Sequence, residues 1–159
     1  MNAHRTELRP VSSGRLTDWV RRTFHRSAPR ARVIAPPAVH LGERLEVEWR
    51  LENGAPATTL ITVSLVGTEI ARSRISARTG ISVVVQTHPF LVLEIDRKAP
   101  ERGAPLASGR GETVVPAGTV PSLAGRLNEI AWAVIVEASF QASTILRQEF
   151  PLVVLPVAR

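Results

Sequence analysis

Three carboxylates, Glu46, Glu48 and Glu52, stand at even spacing in "RLEVEWRLEN" (44–53), so in an extended chain they project from one side. Carboxylates sharing a face are what general acid–base chemistry uses. The alternate positions, however, are Leu45, Val47, Trp49 and Leu51, which is the pattern of a strand with one buried and one wet face. Wet-face charge explains the acids without any chemistry. The four histidines, His4, His25, His40 and His88, show no H-E-x-x-H or H-x-H spacing, and the chain has no Cys to complete a zinc site. "SGRGE" (108–112) is too short a glycine pattern to cradle phosphate, and neither a P-loop nor a G-x-S-x-G elbow occurs. The expectation is a protein that is not an enzyme, with no cofactor, no metal and no small-molecule substrate.

One segment has the charge and turn content of a contact loop. "DRKAPERGAPLASGRG" (96–111) is rich in Pro, Gly and charge. It is read as a long loop in which Asp96, Arg97, Lys98, Glu101, Arg102 and Arg110 meet a protein partner.

Charge is distributed unevenly. Residues 1–32 hold eight Arg against Glu7 and Asp18, whereas residues 33–159 balance twelve basic groups with twelve acidic ones. The net charge of +6 therefore belongs to an N-terminal arm, and the body is neutral. Within "SSGRLTDWVRRTFHRSAPR" (12–30), Leu16, Trp19, Val20 and Phe24 fall on one face of a helix. Ser13 or Thr17 can cap its start and Pro29 limits its end. A helix so short needs a surface to lie on. Arg15, Arg21, Arg22 and Arg26 flank the apolar stripe, and at about 1 kcal/mol per basic residue they give an anionic membrane an attraction on the order of 4 kcal/mol. The same stripe also suits the sandwich itself or a groove on another protein. Nucleic acid is disfavoured, because no stacking aromatics are interleaved with the arginines.

From residue 32 the apolar period is two. Ile61, Val63 and Leu65 share a face in "TLITVSLVGTEIARSRI" (59–75), where Gly67 marks a bulge or bend. "ISVVVQTHPFLVLEI" (81–95) gives two strands or one bent strand, because Pro89 either breaks the pairing or sits at a sheet edge. In "NEIAWAVIVEASF" (128–140), Ile130, Trp132, Val134, Val136, Ala138 and Phe140 point inward. Trp49 and Trp132 are expected in the core. Seven or more closely spaced strands, with no helix between them, indicate an all-β antiparallel sandwich of immunoglobulin-like type, preceded by the short amphipathic helix. Two regions follow: an arm over 1–31 and a sandwich over 32–159.

The order of pieces over 40–156 resembles the arrestin-like sandwich, in its N-terminal half and its single-domain bacterial versions. The carrying stretches are "LGERLEVEWRL", "ITVSLVGTEIAR", and "ETVVPAGTVPSLAGRLNEIAWAVIVEASF" followed by "FPLVVLP". Pro116, Pro121, Ser122, Ile130 and Trp132 occupy the family's strand-ending Pro, Pro-Ser step and Ile-x-Trp step. The resemblance implies a non-catalytic adaptor or scaffold that binds a protein through the sandwich, while the arm docks on a membrane surface or an assembly. The alternative is a permanent structural subunit with the arm buried between neighbours. No second sandwich or clathrin-binding tail is present, so no receptor role or phosphate-sensing polar core is carried over.

The longest apolar run, "IAWAVIV" (130–136), is far short of the roughly 20 residues a spanning helix needs. No secretory h-region opens the chain. The absence of Cys suits a reducing compartment. The expected location is cytoplasmic, at most peripheral to a membrane.

Overall fold

Alternation decides the architecture. A computed structural model describes residues 5–11, 29–52, 58–77, 80–99, 107–140 and 143–158, and every regular element among them is a strand. These are β1 (Thr6–Leu8), β2 (Arg30–Ala35), β3 (Ala38–His40), β4 (Arg44–Glu52), β5 (Leu60–Ala77), β6 (Gly80–Lys98), β7 (Ala107–Val114), β8 (Leu123–Ala124), β9 (Asn128–Phe140) and β10 (Ser143–Leu155). One sheet runs β1-β2-β4-β7 and the other β3-β10-β9-β5-β6, with β8 added beside β9. All pairings are antiparallel except β10 with β3. Two sheets with apolar inner faces make a sandwich.

The inner faces carry the expected phase. Leu45, Val47, Trp49 and Leu51 of β4 are buried, as are Ile61, Val63 and Leu65 of β5 and Trp132, Val134, Val136 and Ala138 of β9. Ile130 packs against their cluster from a partly buried position. Phe150 is the largest fully buried side chain in an otherwise mostly aliphatic core.

The strand carrying His88-Pro89 is one continuous, bent edge strand, which is where proline does least harm to a ladder. Its pairing with β5 slips twice. Gly67 pairs with Leu91 and Thr68 with Pro89, leaving Phe90 extra; Val63 pairs with Asp96 and Ser64 with Glu94, leaving Ile95 extra. Such bulges bend a strand and re-aim its side chains. Phe90 meets Trp132 edge-on, with centroids 5.5 Å apart and planes at 89°, a favoured aromatic geometry. Gly67 lies beneath: a Cβ there would stand 2.6 Å from the Phe90 ring and 3.1 Å from Trp132.

The turn-rich stretch before β9 moves the chain between sheets. β7 ends at Val114, Gly42 at φ 85° donates its N–H to the Val115 carbonyl, and Thr119 N–H closes a turn onto Pro116. Ser122 then clamps Val154, donating its N–H to the Val154 carbonyl at 2.7 Å and accepting the Val154 N–H on Oγ at 2.8 Å. Trp132 Nε1 donates to the Val120 carbonyl at 3.1 Å. The Pro-Ser step thus pins the crossover to β10 and satisfies the indole.

Thr6–Leu8 pairs with Val33–Ala35 and β2 begins at Arg30, so the described flanks of the expected arm take part in the four-stranded sheet. One expectation changes. The segment 96–111 is not a continuous loop, because β6 extends through Lys98 and β7 starts at Ala107. The expected amphipathic helix lies outside the described residues.

The sheets approach closely beside β7. At Gly111 a Cβ would stand 2.2 Å from the Ile95 carbonyl oxygen, a backbone atom. Gly111→Ala is expected to lower unfolding free energy by about 2 kcal/mol, whereas Gly118→Ala, with nothing within 4 Å, changes it by less than about 0.5 kcal/mol. Urea denaturation of the two variants checks the contrast.

Candidate partner-binding surface

The predicted contact residues do not gather into a free loop. Asp96 points between the sheets, opposite Val63, and accepts the Trp49 Nε1–H at 2.7 Å. Arg97 pairs with Glu94 at 2.9 Å, and Lys98 Nζ donates to the Ser108 carbonyl at 2.8 Å. Arg110 lies on β7 and binds Glu46 at 2.6 Å. Asp96 and Lys98 therefore fasten the six-stranded sheet to the four-stranded one. Glu101 and Arg102 lie outside the described residues, as do the arm's Arg15, Leu16, Trp19, Val20, Arg21, Arg22, Phe24 and Arg26.

The outer face of the four-stranded sheet is covered by ion pairs. Arg5 reaches both Glu46 and Glu48, Arg32 binds Glu52 at 3.2 Å, and Arg44 binds Glu112 at 3.0 Å. The carboxylates that looked like an acid–base set are thus each held by arginine. The Arg110 hydrogen bond, aided by the charges of Arg5, Arg110 and Arg44, holds the Glu46 carboxyl below its ordinary value of 4.5. Since the folded value lies below the unfolded one, the stabilisation is complete above the ordinary carboxylate range and is lost as pH falls through the lowered value. A carboxylate so held is no proton donor near neutral pH. A groove of about 440 Å³ on this face is lined by Arg32, Glu48, Arg50 and Arg110 among others. Elsewhere Glu43 accepts from the His40 backbone and ring, at 3.0 and 3.1 Å, which lowers the Glu43 pKa and places His40 in a turn contact. Among the described residues no group of three His, Asp or Glu could hold a metal ion.

The outer face of the six-stranded sheet is different in kind. Val66 and Ile70 of β5, Pro89 of β6, and Ala131, Ala133 and Ile135 of β9 line a groove of about 330 Å³, with Arg147 and Glu149 at its rim. Register continues the strip outward to Val92, 61% exposed, and to Val83 and Val85. Ile135 is 5% exposed although it points away from the core. Val11 fixes one margin, donating its N–H to the Glu149 carbonyl at 2.9 Å. The signal for this surface was present in the sequence: "IAWAVIV" is apolar on both phases, which marks a strand covered on both faces.

β6 also leaves an open edge. Among the described residues nothing pairs with its outer side; of the other edge strands, β1 and β3 have three residues each and the eight-residue β7 carries Arg110 and Glu112.

No family model matches the chain, and no curated protein matches it. Among solved structures, the sporulation control protein Spo0M from Bacillus subtilis is similar, with a TM-score of 0.53 at 15% sequence identity over 82% of this chain. This chain spans half the length of that protein. The likeness supports an arrestin-like fold for the sandwich. No helix among the described residues is long and apolar enough to cross a membrane.

The Trp49–Asp96 bond joins the sheets at a partly buried position. Trp49→Phe removes the donor to a carboxylate, about 1.5–3 kcal/mol, and also part of the buried indole volume beside Gly109, so the total cost is expected to exceed about 1.5 kcal/mol. Chemical denaturation of the variant checks it, and an unchanged stability would contradict a stabilising role for the Trp49–Asp96 contact.

Proposed function

We propose that the chain is a non-enzymatic adaptor. In this reading a protein partner takes the apolar outer face of the six-stranded sheet, and the basic arm brings the sandwich to an anionic membrane surface or a larger assembly in the cytoplasm. The supporting observation is the contrast between the two outer faces: arginine–carboxylate pairs cover one, whereas on the other Val66, Ile70, Pro89 and Val92 form an apolar strip flanked by the Arg72–Glu129 and Arg147–Glu137 pairs. A broad apolar patch on an otherwise charged body marks a contact surface. A sandwich of this kind, whose carboxylates are consumed by ion pairs, supplies recognition rather than bond-making. Spo0M is described as a control protein, which fits a regulatory part of this type.

The membrane half of the proposal rests on Arg15, Arg21, Arg22 and Arg26 beside Leu16, Trp19, Val20 and Phe24. Liposome flotation tests it, with substitution preferred to truncation because β1 and β2 flank the arm. The full chain is expected to float with anionic but not neutral vesicles, and to release as salt rises. Joint Arg15→Gln, Arg21→Gln, Arg22→Gln and Arg26→Gln substitution should abolish flotation. Ile70→Asp with Val92→Asp should leave it intact, since that face serves a protein. Failure of the full chain to float would refute membrane docking and favour the permanent-subunit reading, with the arm between neighbouring chains.

A further inference from the structure

Natural sheets protect their edges with short strands, charges, prolines or covering elements. β6 does so only in part. From Gly80 to Leu93 it contains no Asp, Glu, Lys or Arg, and Pro89 is its sole block to a ladder. Among the described residues no element pairs with the half before Pro89, where Val83, Val84 and Val85 are 58%, 36% and 54% exposed.

That half is also poorly supported from within. The β5–β9 ladder ends at Ala71 opposite Asn128, and the Leu127 carbonyl takes the next N–H, from Arg72. Beyond this point Ser73–Ala77 of β5 and Gly80–Val84 of β6 continue as a two-stranded ribbon. A two-stranded ribbon in water is marginal without a third strand. The backbone N–H and C=O groups on the outer side of β6 offer a template on which another strand can pair.

We infer that a second copy of this chain supplies that strand, by antiparallel pairing of β6 with β6 over Gly80–His88, giving one continuous sheet across a two-fold axis. Symmetry and Pro89 together fix the register. The ladder starts where β6 starts, at Gly80, and stops before Pro89, which has no N–H to give. Its midpoint is Val84. Val84 then faces its own counterpart, Val83 faces Val85 of the second copy, and Ser82 faces Gln86 of the second copy. A valine cluster at the axis is a favourable cross-strand set, and each residue contacts its symmetry mate as an isologous interface requires. Charge does not oppose the pairing. Arg72 is neutralised by Glu129 at 2.6 Å, and the two β5 strands, three strand spacings apart, are separated by about 14 Å, beyond the Debye length of about 8 Å at physiological salt.

Sedimentation velocity on the full chain over a hundredfold concentration range tests the inference. The expected species is a dimer of twice 17.3 kDa. Val84→Lys places two like charges at the axis and should weaken dimerisation at least tenfold, while Val84→Thr should leave it within about threefold. A second arm uses the absence of native Cys: mild oxidation should convert Val84→Cys, but not Val92→Cys beyond Pro89, into a disulfide-linked dimer. This arm decides the matter if Val84→Lys fails to fold. A chain that is monomeric throughout, a Val84→Lys variant that dimerises as tightly as the parent, or equal cross-linking at 84 and 92 would each overturn the inference.

Discussion

Sheets of a sandwich ordinarily stand about 10 Å apart across their side chains, and here they also approach at backbone distance beside β7. Gly109 leaves space for Asp96 and Trp49, and Gly111 leaves space for the Ile95 backbone; a Cβ at either position would lie within 2.5 Å of an atom from β6. Into this space β6 sends the Asp96 carboxylate to the Trp49 indole and the Lys98 amine to the Ser108 carbonyl. The bulge at Ile95 is what re-aims the strand there. A second bulge, at Phe90, brings that ring onto Trp132 over Gly67. Both irregularities of β6 therefore serve closure. Its first half, Gly80–His88 before Pro89, stays outside the support of the core.

The polar groups divide accordingly. Those between the sheets are satisfied in pairs, and no buried side-chain nitrogen or oxygen among the described residues is without a partner. Those on the outer face of the four-stranded sheet neutralise one another across strands, Glu46 with Arg5 and Arg110 being the densest group. Exposed pairs of this kind contribute little stability each, but they keep that face wet and self-contained. On the six-stranded sheet the Arg72–Glu129 and Arg147–Glu137 pairs flank an apolar strip of Val66, Ile70 and Val92, which is why recognition is assigned to it.

Much of the fold was legible because alternation is a local signal. Leu45 to Leu51, Ile61 to Leu65, and Trp132 to Ala138 were assigned to the correct face from period alone, and Gly67 and Pro89 announced the bend and the edge. The candidate surface was less legible. Asp96, Lys98 and Arg110 sit among Pro, Gly and charge, so composition suggested a loop; their roles depend on Trp49 and Glu46, which lie 47 and 64 residues away. Likewise "SGRG" reads as part of a loop until the close approach of β6 shows why small residues are needed within a strand. The second apolar phase of "IAWAVIV" was visible, but only the register of β5, β6 and β9 shows that Val66, Ile70 and Val92 extend it into a surface.

The central claim is that recognition resides on the outer face of the six-stranded sheet and not on the ion-paired face opposite. The most direct measurement places a photo-cross-linking amino acid in the full chain within cells of its source, at Val92 in one variant and at Glu48 in another. The account predicts a discrete protein adduct from position 92 and none from position 48. An adduct from 48 with none from 92 would contradict it.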